Sequence, residues 1–206
     1  MVDFRRWRTL QEQVASCSQC VSRWPDKVVR PLGFDEIPDP PKSVDVLFVG
    51  VAPTPVQGKN AGGHFYTSVS DPLRVGLFRL LEEKFRVPLN AKKLEDGNRS
   101  FHKLACFFVH CAKVRPIRDP APPIETIHFC AARHLRAEIP VLSPRAICFL
   151  GKNNAGPAAK ELFGAPIDST PVPVTLDDWR GLAVVAPQPR RGWEWETGLV
   201  LNRLWP

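Results

Sequence analysis

Residues 44–81 read VDVLFVGVAPTPVQGKNAGGHFYTSVSDPLRVGLFRLL, and the order of the parts sets the architecture. Val46 to Val49 is a short apolar run without polar alternation, the pattern of a strand buried on both faces. It stops at Gly50. A loop of Gly, Pro, Asn and Thr follows, with one aromatic residue, Phe65, near its end. Ser70-Asp71-Pro72 then supplies an N-cap and a first-turn proline. Leu73, Leu77, Leu80 and Leu81 recur at helical spacing. A strand feeding a glycine-rich loop and then a helix is how open α/β sheets build a ligand site at the carboxyl ends of their strands. The loop offers backbone N–H groups to an anion or a carbonyl, and Phe65 offers a flat face to a ring.

Outward from this unit the same alternation repeats. Helices are predicted over Phe4–Cys20, Pro72–Phe85, Ile124–Ala137, from the turn at residues 151–154 through Leu162, and over Trp193–Leu204. Strands are predicted at Asp45–Val51, Leu104–His110, Arg145–Leu150 and Gly181–Ala186. Trp24–Lys42, Asn90–Lys103, Arg115–Pro123, Pro166–Asp178 and residues 187–192 read as connections, where most of the 22 prolines fall. Strand and helix in turn imply a three-layer α/β/α sandwich around a central four-stranded, mainly parallel sheet. At 206 residues a single domain over residues 1–206 is expected.

Lys and Arg number 28 against 21 Asp and Glu, a net charge of +7, which favours a polyanionic partner such as nucleic acid. No run of about 18 apolar residues exists to span a membrane. The N-terminus, MVDFRRWRTLQEQ, is basic and amphipathic without a secretory core, so a cytoplasmic protein is expected. In a reducing compartment, six cysteines point to metal or to burial rather than to disulfides. Cys17-Ser18-Gln19-Cys20 has metal-ligand spacing, whereas Cys106 and Cys148 lie inside apolar strands.

The chain resembles the uracil-DNA glycosylase superfamily, most closely its iron–sulfur-containing bacterial and archaeal branches. Gly50-Val51-Ala52-Pro53 with Gly58, Asn60, Gly62 and Phe65 is similar to the first motif, whose loop surrounds a flipped base. Val109-His110-Cys111-Ala112-Lys113-Val114-Arg115-Pro116 is similar to the strand that carries a base-reading asparagine and then Lys-Cys-Arg-Pro. Ala186-Pro187-Gln188-Pro189-Arg190 matches part of the final His-Pro-Ser motif. The departures are specific. Val51 and Ser68 stand where different branches hold a water-activating acid, His110 stands at the asparagine, and Ala186 at the last histidine.

The resemblance implies hydrolysis of the N-glycosidic bond of uracil or another deaminated base in DNA, as in base-excision repair. Unstacking a base costs a few kcal/mol, so the pocket must supply a stacking ring and donors for the base edge. The expected base-binding residues are Val51, Ala52, Pro53, Gly62, His64, Phe65 and His110, with Phe65 as the platform. His110, Gln57 and Asp71 are the catalytic candidates, although Asp71 also reads as the helix N-cap. Oriented donors stabilise the charge that grows on the departing base even without a carboxylate. Ser68, Ser70, Lys152, Asn153, Gln188, Arg190, Arg191 and Trp193 are candidates for DNA contact. A structural [4Fe-4S] cluster on Cys17, Cys20, Cys111 and Cys130 is implied, Cys111 replacing the ligand lost at Val114; zinc or no metal are the alternatives. The partner is DNA, single- or double-stranded, and a monomer is expected. Two other functions fit the same residues: a non-catalytic binder of single-stranded or abasic DNA, and covalent capture of an abasic site through His110 or His64.

Overall fold

The computed structural model describes residues 1–31, 37–57, 63–118, 121–189 and 194–205. Four of its strands are those read from the sequence: β2 (Val46–Gly50), β3 (Cys106–His110), β5 (Ala146–Leu150) and β7 (Trp179–Ala186). They are parallel, and all of β2, β3 and β5 is buried. A fifth strand, β6 (Val172–Leu176), pairs antiparallel with β7 and makes the order β3-β2-β5-β7-β6. It corrects both the four-strand count and the loop expected at Pro166–Asp178. The prolines at 171 and 173 masked it, yet an edge strand tolerates a residue without an N–H.

A second small sheet joins β1 (Val28–Pro31) to β4 (Val114–Pro116), antiparallel. The expected first helix is two, α1 (Phe4–Ala15) and α2 (Gln19–Arg23). α3 (Pro72–Phe85) starts and stops where the sequence placed it, with the Asp71 carboxylate accepting the Arg74 N–H at 2.8 Å. The expected connection at Asn90–Lys103 holds a helix, α4 (Leu94–Lys103). The helix at Ile124–Ala137 is longer: α5 (Ile124–Cys130) passes through a π-helical turn (Ala131–Leu135) into α6 (Arg136–Leu142). α7 (Ala155–Phe163) and α8 (Glu194–Leu204) complete the chain.

From β2 the chain steps outward to β3, then returns past β2 to β5. Right-handed crossovers therefore put α3 and α4 on one face and α5, α6 and α7 on the other. α3 packs on α8, and α1 packs on α6. The reversal between β2 and β5 is a topological switch point, where open α/β sheets form their ligand crevice.

Two features shape that end of the molecule. Tyr66 is buried, and its hydroxyl accepts the Phe108 N–H at 2.8 Å on the side of β3 that faces away from β2. Gly76 of α3 meets the backbone of Pro189, so that a Cβ there would collide with the Pro189 carbonyl oxygen. Gly76→Ala is expected to lower stability by about 2 kcal/mol through overpacking, read as a fall in Tm of roughly 5 °C. An unchanged Tm would show that this loop yields freely.

Candidate functional site

The carboxyl ends of β2, β3, β5 and β7 are stitched by their backbones. The Cys111 N–H donates to the Gly50 carbonyl, Ala112 to Val51, and Gly151 to Ala186. Gly50 lies opposite His110 in the register. A Cβ on Gly50 would lie 2.6 Å from the Phe108 ring and 3.4 Å from that of His110, so glycine lets both rings lean across β2. At the switch point Gly151 has φ +121°, a conformation that favours glycine. A Cβ there would meet Val51 at 3.4 Å and the Gln188 side chain at 3.5 Å. Val51, Gly151 and Gln188 thus converge from three loops. Gln188, a candidate for DNA contact, lies beside Gly151 here; the visible signal for Gly151 is a glycine directly after a buried strand.

His110 is 7 % exposed, its ring edge-on to Phe108 at 4.8 Å and 6.1 Å from His64. Burial, then His64 and the Lys113 ammonium, hold it well below the ordinary imidazole range, so it is neutral at neutral pH. His64 is also buried, and its Nδ1 accepts the Tyr66 N–H at 3.4 Å. Two imidazoles therefore flank one end of the crevice. Val51 and Pro53 are buried and Ala52 partly so, forming an apolar lip; Gly62 lies outside the described residues.

Phe65 departs from expectation. Its ring is 1 % exposed, stacked on Phe108 at 4.2 Å and 13° and edge-on to Phe78 and Tyr66. In this structure it is a core ring backing His110 through Phe108, not an open platform, because α3, α4 and β3 each bring an aromatic residue against it. Arg74, wholly buried, fixes it there by donating to the Phe65 carbonyl at 3.0 Å and to Asn98 at 2.5 Å. The sequence reading did not single out Arg74, which sits in the first turn of an otherwise apolar helix face.

The other candidates have local partners or are exposed. Asp71 caps α3. Gln57 is exposed and accepts from Arg118 at 3.3 Å. Ser68 and Ser70 bond each other at 3.0 Å. Lys152 faces Glu196 at 3.3 Å, and Asn153 is exposed. Arg190, Arg191 and Trp193 lie outside the described residues. Trp195, 74 % exposed at the start of α8, is a large aromatic surface that the sequence reading passed over.

The cysteines do not gather as four. Cys20 and Cys130 touch, Sγ to Sγ 3.7 Å, in a small apolar cluster with Val28 and Val114. Cys111 belongs to the main core. Cys17 borders a cleft of about 430 Å³ with Arg133 and His134. Among the described residues no three His, Cys, Asp or Glu side chains stand together as metal ligands. Of the four expected ligands, the sulfurs in direct contact are those of Cys20 and Cys130, and Val114, standing where the family holds a ligand, packs in the same cluster.

Burial also brings His102 and His134 down to about 4. With His110, three histidines stay neutral in the fold while the unfolded chain protonates them below about pH 6.5. Their contribution is whole above that pH and is lost as the pH falls toward 4. His102 and His134 are each expected to cost up to about 2 kcal/mol between pH 7 and pH 5. Urea unfolding of wild type and His134→Gln checks this: the variant should lose less stability over that interval, and parallel losses would refute the assignment.

No curated protein matches the chain. A family model described as the uracil DNA glycosylase superfamily matches residues 37–194, from the segment before β2 to the first residue of α8. With its parallel sheet, its topological switch point and this match over most of its length, the chain belongs to the uracil-DNA glycosylase superfamily.

Proposed function

We propose that the protein is a monofunctional DNA glycosylase that removes uracil or a related deaminated base. The carrying observation is the convergence of Val51, His110, Gly151 and Gln188 at the strand ends of a superfamily fold. A flipped base enters between the apolar lip and the two imidazoles. His110, neutral and buried, bonds the polar edge of the base and stabilises charge on it as the glycosidic bond lengthens. Gln188, whose amide side chain lies beside Gly151, orients the base or a water. The surplus of +7 favours DNA, and Trp195 with the basic residues 190 and 191 would meet the strand.

Non-catalytic binding of single-stranded or abasic DNA is favoured by one observation: an Asp71 oxygen caps α3 and the Gln57 side chain accepts from Arg118, so both catalytic candidates already have local partners. Incubation with a uracil-containing oligonucleotide followed by alkali separates the readings. Strand breaks at uracil support hydrolysis. Retarded, intact DNA supports binding alone, and a denaturation-resistant protein–DNA band supports covalent capture.

A further inference from the structure

Cys20 and Cys130 are 110 positions apart in the chain, yet their sulfurs are in contact at 3.7 Å. Both are 2 % exposed, and Val28, Val114, Trp24 and Phe129 surround them. A bonded pair of sulfurs lies about 2.05 Å apart, so each needs to move by roughly 0.8 Å. The contact is shielded from solvent on both sides, so either sulfur can attack and the other close the bond.

We propose that Cys20 and Cys130 are a peroxide-oxidisable dithiol that closes into a disulfide tying α2 to α5. One of the two sulfurs, as the thiolate, attacks one oxygen of hydrogen peroxide. An S–O bond forms, the O–O bond breaks and hydroxide leaves; sulfur loses two electrons and peroxide gains them. The other sulfur then attacks the sulfenic sulfur. The S–S bond forms, the S–O bond breaks, and the oxygen leaves as water with the second thiol's proton. A small-molecule thiol reverses the step by exchange.

The location gives the bond a reach. α2 leads into β1, which pairs with β4. Around β4, Arg115 donates to the Thr54 and Pro55 carbonyls at 3.0 and 3.3 Å, and the Val56 and Gln57 N–H groups donate to Pro116 and Ile117. Oxidation therefore stiffens the β1–β4 ribbon that holds the loop after β2. None of this depends on the glycosylase reading.

The test uses the full chain, treated with hydrogen peroxide, alkylated and mapped by mass spectrometry. The Cys20 and Cys130 peptides are expected to be joined, two hydrogens lighter than the reduced pair. Tm is expected to rise by about 5–15 °C, since the bond closes a loop of more than 100 residues. Dithiothreitol should reverse both changes, and Cys20→Ser and Cys130→Ser should show no rise. Should either variant fail to fold, the peptide map of the wild type alone decides. Free thiols at both positions after treatment, linkage of Cys20 to Cys17 instead, or stoichiometric iron or zinc protecting these thiols would each overturn the proposal.

Discussion

Replacing His110 by alanine is expected to slow single-turnover excision of uracil by about 10²–10³-fold, the usual consequence of removing one preorganised donor from a developing anion. The side chain ends β3, faces Gly50 across the sheet and rests edge-on against Phe108. Its position is therefore fixed by the core before any substrate arrives. Because the ring is neutral well below its ordinary range, the wild-type rate should stay flat as the pH falls from 7 to about 5.5, with no inflection near 6.5. His110→Gln, which keeps a donor, should recover part of the rate. A loss of less than about threefold in His110→Ala, at unchanged Tm, would remove His110 from the chemistry. Under the covalent-capture reading the same variant would abolish a denaturation-resistant band.

The largest stability effect is expected at Glu138. Its carboxylate accepts from the Lys113 ammonium at 2.5 Å and from Gln11 at 3.1 Å, and both charged side chains are 1 % exposed. The pair joins the end of the site strand to α6 and α1. Glu138→Ala leaves a buried cation without its counter-charge, which costs about 3–5 kcal/mol. That corresponds to a Tm lower by about 10 °C or more. The double replacement Lys113→Met with Glu138→Leu should be far milder, because the desolvation of two charges disappears with their attraction. Thermal unfolding of both variants decides the matter: a Glu138→Ala protein as stable as wild type would mean that water reaches Lys113.

The parts of the fold that were legible are those whose burial leaves a pattern. VLFVG, CFFVH and AICFL are buried at every position and read as strands without ambiguity. α3 announced itself through its cap and proline. α4 did not, because of its ten residues LEDGNRSFHK only Gly97 and Phe101 are buried, and Arg74 bonds Asn98 and the Leu94 carbonyl from α3. The sheet edge β6 and the β1–β4 pair are too short and too rich in proline to carry a period. In the site, the apolar strands put Gly50 opposite His110 at their carboxyl ends, as their lengths in the sequence imply. The orientation of Phe65 was not readable. Whether an aromatic residue in a glycine-rich loop turns out or in depends on Phe78, Phe101 and Phe108, which arrive from other elements. The cysteine spacing was likewise ambiguous, since sequence distance does not show that Cys111 points into the main core.

The hydroxyl of Tyr66 has an outcome for the molecule's solution behaviour. β3 is an outermost ribbon of the sheet, and a bare row of amides there invites a neighbouring chain to add itself. By occupying the Phe108 amide, Tyr66 closes that invitation, so the same segment that borders the crevice also discourages self-association. Tyr66→Phe should then precipitate or oligomerise on mild warming before it unfolds, visible as light scattering that rises with protein concentration.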